Sequence, residues 1–220
     1  MAGTITALRF QKRNKDRVNV YLDDQFAFGL AVVEAIHLEI GQMLSDDEIA
    51  RLQIRDQVEK AYQRALNFLS YRPRSEDEVR RNLRKKEIKE PVIEEVIERL
   101  TRGELLDDRE FARYWVENRL RFNPRGLRGL RHELRQKGLA NRIIDETLED
   151  LDVEAAARKA AEAGVRRLQE LEDRDFRRKL QAYLKRRGFS YAVIAPLIEE
   201  LLEERNRKKT STMDIESEEK

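Results

Sequence analysis

The sequence predicts a mainly α-helical protein: a tandem array of three three-helix repeats with a small N-terminal antiparallel β meander. Three observations lead there. Five apolar positions recur three times at a period of about 50 residues, and the residues before position 30 alternate with the period of strands. Charged residues make up 40% of the chain, against about 25% in ordinary globular proteins. So polar a composition cannot fill one deep core, whereas an array needs only a small core in each repeat.

The meander comes first. Thr6, Leu8 and Phe10 alternate, Asn14-Lys15-Asp16 supplies turn residues, and Val18, Val20 and Leu22 alternate again before Asp23-Asp24-Gln25 and Phe26-Ala27-Phe28. Asp23 and Asp24 read as a hairpin turn, not as a carboxylate pair for metal or acid–base chemistry. A short apolar stretch, Leu30 to Leu38, precedes Gly41. Ser45-Asp46-Asp47-Glu48 then has the form of a capping box, which predicts one or two helices over 45–70.

The repeats occupy most of the remainder. Aligning Leu83 with Leu134 and Leu184 also aligns Val79, Leu130 and Leu180; Ile88, Leu139 and Phe189; Ile93, Ile144 and Ile194; and Ile97, Leu148 and Ile198. Gly138 and Gly188 end the second helix of the later repeats, where positive φ is favoured; Glu87 stands there in the first. In the middle repeat the pattern predicts helices over 109–122, 127–137 and 141–151, too short to be stable alone in water. The expected organisation is 1–55 for the meander and short helices, then repeats over 56–104, 105–152 and 153–204. The polar tail, 205–220, buries too little to offset its ordering entropy and is expected to be frayed or disordered.

The formal net charge is only +2, but the charge is sorted by helix. Between Arg119 and Arg142 stand eight basic residues and one acid, Glu133; Arg72 to Lys89 holds eight against four, and Arg174 to Arg187 seven against one. The third helices are acidic. Leu127, Leu130 and Leu134 share one face of the middle second helix, with Arg128, Arg131 and Arg135 on the ridge beside it. Arg125 and Lys137 extend that stripe, and Arg72, Arg74, Arg80, Arg81 and Arg84 form its counterpart in the first repeat. Such a stripe suits a polyanion or an acidic protein surface; equally, its cations complement the acidic third helices of neighbouring repeats.

Several chemistries find no support. The chain has no cysteine and only two histidines, His37 and His132, which excludes disulfides, thiolate sites and a histidine-rich zinc site. Asp107 and Asp108 fit a helix start better than a metal site. Trp115 and Tyr114 fit packing better than base stacking. The glycines form neither a Walker A loop nor a dinucleotide fingerprint, and Gly126-Leu127-Arg128-Gly129, which has the form of a KH clamp loop, lacks the neighbouring strands. No catalytic residue, cofactor or metal is expected. The longest apolar run, Phe26 to Val33, is far below membrane-spanning length, and the segment from Met1 to Arg17 lacks a signal peptide's apolar stretch. A cytoplasmic monomer is expected.

Three segments, YRPRSEDEVRRNLRKK at 71–86, GELLDDREFARYWVENRL at 103–120 and PRGLRGLRHELRQKGL at 124–139, resemble the RecX family, regulators of the RecA recombinase. The likeness runs from about Ala61 to Leu202, and KRNKDRVNVYLDDQFAFGL at 12–30 is similar to an N-terminal extension of some members. Glu87 departs from the usual glycine. The resemblance implies a non-enzymatic helical array that binds along the RecA nucleoprotein filament and modulates, usually inhibiting, ATP hydrolysis, strand exchange and co-protease activity in recombination, repair and the SOS response. It also implies proximity to the single- or double-stranded DNA within the filament. The other reading of the residues is a helical-repeat protein that binds nucleic acid directly through its basic second helices.

Overall fold

A computed structural model of the chain describes residues 2–218, with side chains as far as Arg207. The chain forms two compact units, Met1–Asp107 and Asp108–Lys220.

In the first unit, β1 (Gly3–Phe10), β2 (Arg17–Leu22) and β3 (Gln25–Ala31) form the expected antiparallel meander. A fourth strand, β4 (Met43–Leu44), pairs with the outer edge of β1 and gives the order β3-β2-β1-β4. Two residues carry no alternation, so this strand has no sequence signature. Asp23 and Asp24 form the β2–β3 turn with φ of 47° and 64°, the left-handed pair that matches strand twist in tight hairpins. Asp23 Oδ1 accepts from the Thr4 amide at 3.1 Å and Thr6 Oγ1 accepts from the Asp24 amide at 2.9 Å. In the 30–38 stretch Leu30 and Ala31 end β3, and the only helix is one turn, α1 (Val32–Ala35).

One long helix, α2 (Asp46–Leu69), follows the capping box, in which the Ser45 amide donates to Glu48 Oε2 at 2.8 Å and the Glu48 amide to Ser45 Oγ at 3.3 Å. It serves two cores. Ile49 and Leu52 pack with Ile5, Val20, Leu30 and Leu44 under the sheet, whereas Val58, Ala61 and Ala65 pack with α3 (Glu76–Arg84) and α4 (Glu90–Arg102). The boundary expected between 55 and 56 therefore falls inside α2, because a 24-residue helix of about 36 Å is long enough to serve both.

Polar ties cross these layers. Asp56, 4% exposed, accepts from Arg17 at 2.9 and 3.1 Å and from the Ala31 amide at 3.0 Å, and pairs with Lys60 at 2.7 Å. Burial alone would push its carboxyl up, but the hydrogen bonds and charges of Arg17 and Lys60 together outweigh that and hold it below the usual range. Glu59 plays a similar part between α2 and α4: Arg99 reaches it at 2.6 Å while lying over the Tyr62 ring.

The second unit holds α5 (Asp108–Phe122), α6 (Leu127–Gln136), α7 (Asn141–Leu148), α8 (Val153–Leu168), α9 (Asp173–Arg186) and α10 (Tyr191–Glu218). Helices α5 to α7 surround Phe111, Leu130, Leu134, Ile144 and Leu148; α8 to α10 surround Phe176, Leu180, Leu184, Ile194 and an alanine face of α8. Leu120 packs against both cores. Of the fifteen repeat positions, fourteen are buried and Ile88 is half-buried. Gly138 and Gly188 have φ of 82° and 88°, and Glu87 takes the same left-handed conformation at 59°, so a non-glycine residue fills the first repeat's helix end without changing the turn.

The backbone of α10 runs to Glu218. The sequence reading expected a frayed or disordered tail, whereas the backbone is helical there and Arg205 lies over the Phe176 ring, 5.0 Å from its centroid; from 208 onward side-chain packing lies outside the described residues.

Candidate partner interface

The ten cations singled out by sequence lie on or beside α3 and α6, and most are already engaged. Arg80 sits among carboxylates, with Nε 2.7 Å from Glu76 and Nη1 2.6 Å from Glu94 and 3.7 Å from Glu90. Arg84 reaches Glu90 at 2.6 Å, Arg81 pairs with Asp77 one turn back, and Arg72 bridges Glu78 at 2.9 and 3.2 Å. Arg74 stands over the Phe68 ring, 4.0 Å from its centroid.

The middle repeat has the same plan. Arg131 and Asp145 occupy the repeat positions of Arg80 and Glu94 and are 2.8 Å apart. Arg135 and Asn141 occupy those of Arg84 and Glu90, and Arg135 Nε donates to Asn141 Oδ1 at 3.0 Å. In the third repeat the first of these pairs becomes Gln181 and Ala195, and the bridge moves to Arg177 and Glu199. The second helix thus complements the acidic third helix of its own repeat, not of a neighbouring one, because a tight turn lays the two side by side. Arg80, Arg84 and Arg177 hold the carboxyls of Glu94, Glu90 and Glu199 below the usual range, so these bridges are ionised at neutral pH. Exposed pairs of this kind contribute little to stability; their main effect is on how much positive charge faces outward.

Glu133, the lone acid of the basic segment, is a local hub. Trp115 Nε1 donates to it at 2.9 Å and Arg119 Nε at 2.7 Å, while Arg125 Nε lies 3.2 Å away as an ion pair without hydrogen-bond geometry. Lys137 lies over the Trp115 ring at 4.6 Å and Arg119 at 4.4 Å. Trp115 is half-buried and packs on the repeat core, as expected; Tyr114 does not follow, being exposed at 38%. Glu133→Gln is expected to shift Trp115 fluorescence and to lower stability by about 1 to 2 kcal/mol, measured by urea unfolding at pH 7. An unchanged emission maximum would remove the hub.

Of the ten cations only Arg128, exposed on α6, has no hydrogen-bond, ion-pair or ring partner among the described residues. Beside it, Gly126 and Gly129 have a structural purpose. A Cβ on Gly126 would lie 2.5 Å from Gly188 O, and one on Gly129 would lie 2.6 Å from Arg187 O. The Gly126 amide donates to Arg187 O at 3.0 Å, and Arg187 Nη1 donates to Pro124 O at 3.0 Å and to Asn123. The segment with the form of a clamp loop is thus the place where the second repeat meets the α9–α10 turn of the third. Asp107 directly precedes α5 and Asp108 opens it, at the helix start where the sequence placed them. Among the described residues no three His, Cys, Asp or Glu side chains gather to hold a metal, and no helix is long and apolar enough to cross a membrane.

These features define the class first: a tandem three-helix-repeat protein preceded by a small sheet. Family models place it further, matching the RecX N-terminal domain over 3–45 and the first, second and third RecX three-helix domains over 61–100, 107–148 and 152–198. The chain belongs to the RecX family. It is 38% identical over 202 residues to a regulatory protein RecX of Bacillus subtilis, covering 90% of this chain and 76% of that one. It is 35% identical over 201 residues to that of Bacillus licheniformis, covering 89% and 76%. A crystal structure of a regulatory protein RecX superposes with a TM-score of 0.75 at 31% identity, covering 90% of this chain and 99% of that one. RecX from Lactobacillus salivarius gives 0.59 at 30%, covering 67% and 97%.

Proposed function

We propose that this chain is a non-enzymatic, cytoplasmic regulator that binds the RecA nucleoprotein filament as a monomer and inhibits its ATP hydrolysis, strand exchange and co-protease activity, acting in recombination, repair and the SOS response. The observation that carries the reading is the succession of four RecX domains along the chain. The repeated ion pairs refine which cations reach a partner. A polyanion approaching α3 meets Glu76, Glu90 and Glu94 together with Arg80, whereas one approaching α6 meets Arg128 unpaired and Arg135 held only by a neutral amide. The contact surface is therefore centred on Arg128 and Arg135, with Arg125, Arg131 and Lys137 beside them. Arg72, Arg74, Arg80, Arg81 and Arg84 contribute less.

The test is a titration of RecA's DNA-dependent ATP hydrolysis, with filaments preformed or assembled in the presence of the chain. Wild type is expected to inhibit. Charge reversal of Arg128, Arg131 and Arg135 together is expected to raise the concentration for half-inhibition about tenfold or more, equivalent to roughly 1.4 kcal/mol or more, without unfolding the protein. Reversal of Arg84 is expected to change it less. Unchanged inhibition by the triple variant would remove this face from the interface; no inhibition by wild type would sink the reading.

A further inference from the structure

We infer that a cleft between α8 and α9 in the third repeat is a binding site for the phosphodiester backbone of single-stranded nucleic acid. The cleft, of about 250 Å³, is lined by three cations, Arg167, Lys179 and Arg186, and by Gly164, Leu168, Ala182 and Tyr183. No carboxylate lines it. Residues 179, 182, 183 and 186 share one face of α9, and 164, 167 and 168 one face of α8. Gly164 brings the two helices close: a Cβ there would lie 2.8 Å from Leu180 Cδ1 and 3.3 Å from the Tyr183 ring.

The pairing of charges distinguishes this cleft from the rest of α9. Toward α10, Arg177 pairs with Glu199; Arg178 pairs with Asp175, and Arg187 is bound by Asn123 and Pro124. Arg167, Lys179 and Arg186 are exposed and have no hydrogen-bond or ion-pair partner among the described residues. Three like charges held around one hollow attract an anion. Lys179 and Arg186 stand about 10.5 Å apart along the helix, so the anion that satisfies both is extended, carrying charge at intervals. The hollow is smaller than the roughly 300 to 1,000 Å³ of sites that enclose small molecules, which favours a chain laid across it. Cations beside apolar and aromatic side chains are the pattern that takes unstacked bases with their phosphates, here with Arg187 already over the Tyr183 ring, 4.6 Å from its centroid; a run of carboxylates would leave Leu168 and Tyr183 without a partner.

The inference does not rest on RecA, and its test contains none. Fluorescence anisotropy of a labelled oligothymidylate with the full-length chain is compared with that for a duplex of equal length, with poly-glutamate as competitor. The wild-type chain is expected to bind the single strand in preference to both. Replacing Arg167, Lys179 and Arg186 by Gln is expected to raise Kd tenfold or more and to flatten the log–log salt slope by about 2, as expected for three phosphate contacts on a single strand. Ala182→Glu is a second variant that keeps the helix. Its carboxylate would stand three residues after Lys179 and four before Arg186, where it can pair with both, and it should weaken binding by a similar factor at unchanged thermal stability. An unchanged Kd and salt slope in both folded variants would overturn the site. Tighter binding of the duplex, or displacement of the oligonucleotide by poly-glutamate at lower charge concentration, would overturn the assignment to single strands.

Discussion

Replacing Gly188 by alanine is expected to destabilise the second unit by about 2 to 5 kcal/mol and to open the junction between its two repeats. Two costs add. At a φ of +88° a Cβ crowds the backbone, for roughly 1 to 2 kcal/mol. The same Cβ would lie 2.2 Å from the Gly129 amide nitrogen and 2.7 Å from its Cα; these are backbone atoms that no rotamer change can move, and overpacking costs typically about 1 to 3 kcal/mol. Gly41 is the control, because it has a φ of +93° with nothing within 4 Å of its Cβ position. Gly41→Ala should therefore show the conformational cost alone. Urea unfolding gives the stabilities, and hydrogen exchange at the Gly126 amide, bonded to Arg187 O, reports the junction directly. If Gly188→Ala were no more costly than Gly41→Ala and the Gly126 amide stayed protected, the backbone contact would carry no energy.

Asp56→Ala is the second large effect, expected to cost about 3 to 5 kcal/mol in the first unit. Removing one partner of a buried ion pair leaves an uncompensated charge, here the Arg17 guanidinium, whose side chain is only 17% exposed. The Ala31 amide also loses its acceptor. The effect depends on pH with a defined sign. The folded carboxyl titrates below its unfolded value of about 3.9, so its contribution is complete above that value and disappears as pH falls through the folded one. Unfolding of wild type and Asp56→Asn from pH 7 to pH 3 should therefore show a constant stability gap near neutrality that narrows below about pH 4. A gap independent of pH would mean that Asp56 acts as a hydrogen-bond acceptor and not as a charge.

The glycines and Asp56 differ in how far the sequence announces them. Gly188 is legible as a helix end because it recurs with Gly138 at the repeat period, but nothing local tells that its other side touches Gly129. Asp56 has no signal at all: it is one of several acids on a charged helix, and its burial depends on Arg17 reaching it from 39 positions earlier. Strand β4 is equally silent, being two residues recruited by the open edge of β1. By contrast, Ser45 with Glu48 three positions on is a cap both in sequence and in structure, because capping chemistry is completed within four residues.

The basic second helices show the same division. Their charge is countable in the sequence, and so is the acidity of the third helices. Which cations face outward is not, since it depends on the register in which two helices pack. Arg80, Arg131 and Arg177 are bridged to α4, α7 and α10 respectively, whereas Arg128 and the Arg167–Lys179–Arg186 cluster lack partners among the described residues.

The sequence by itself determined the repeat, its helices, their buried faces and their caps, because periodicity and capping are local properties of a chain that packs in short units. Tertiary structure alone decided the junction glycines, the buried Asp56 tie and the supply of unpaired charge. Each of these depends on atoms far apart in sequence that come within a few ångströms only once the helices have packed, and no local pattern encodes that distance.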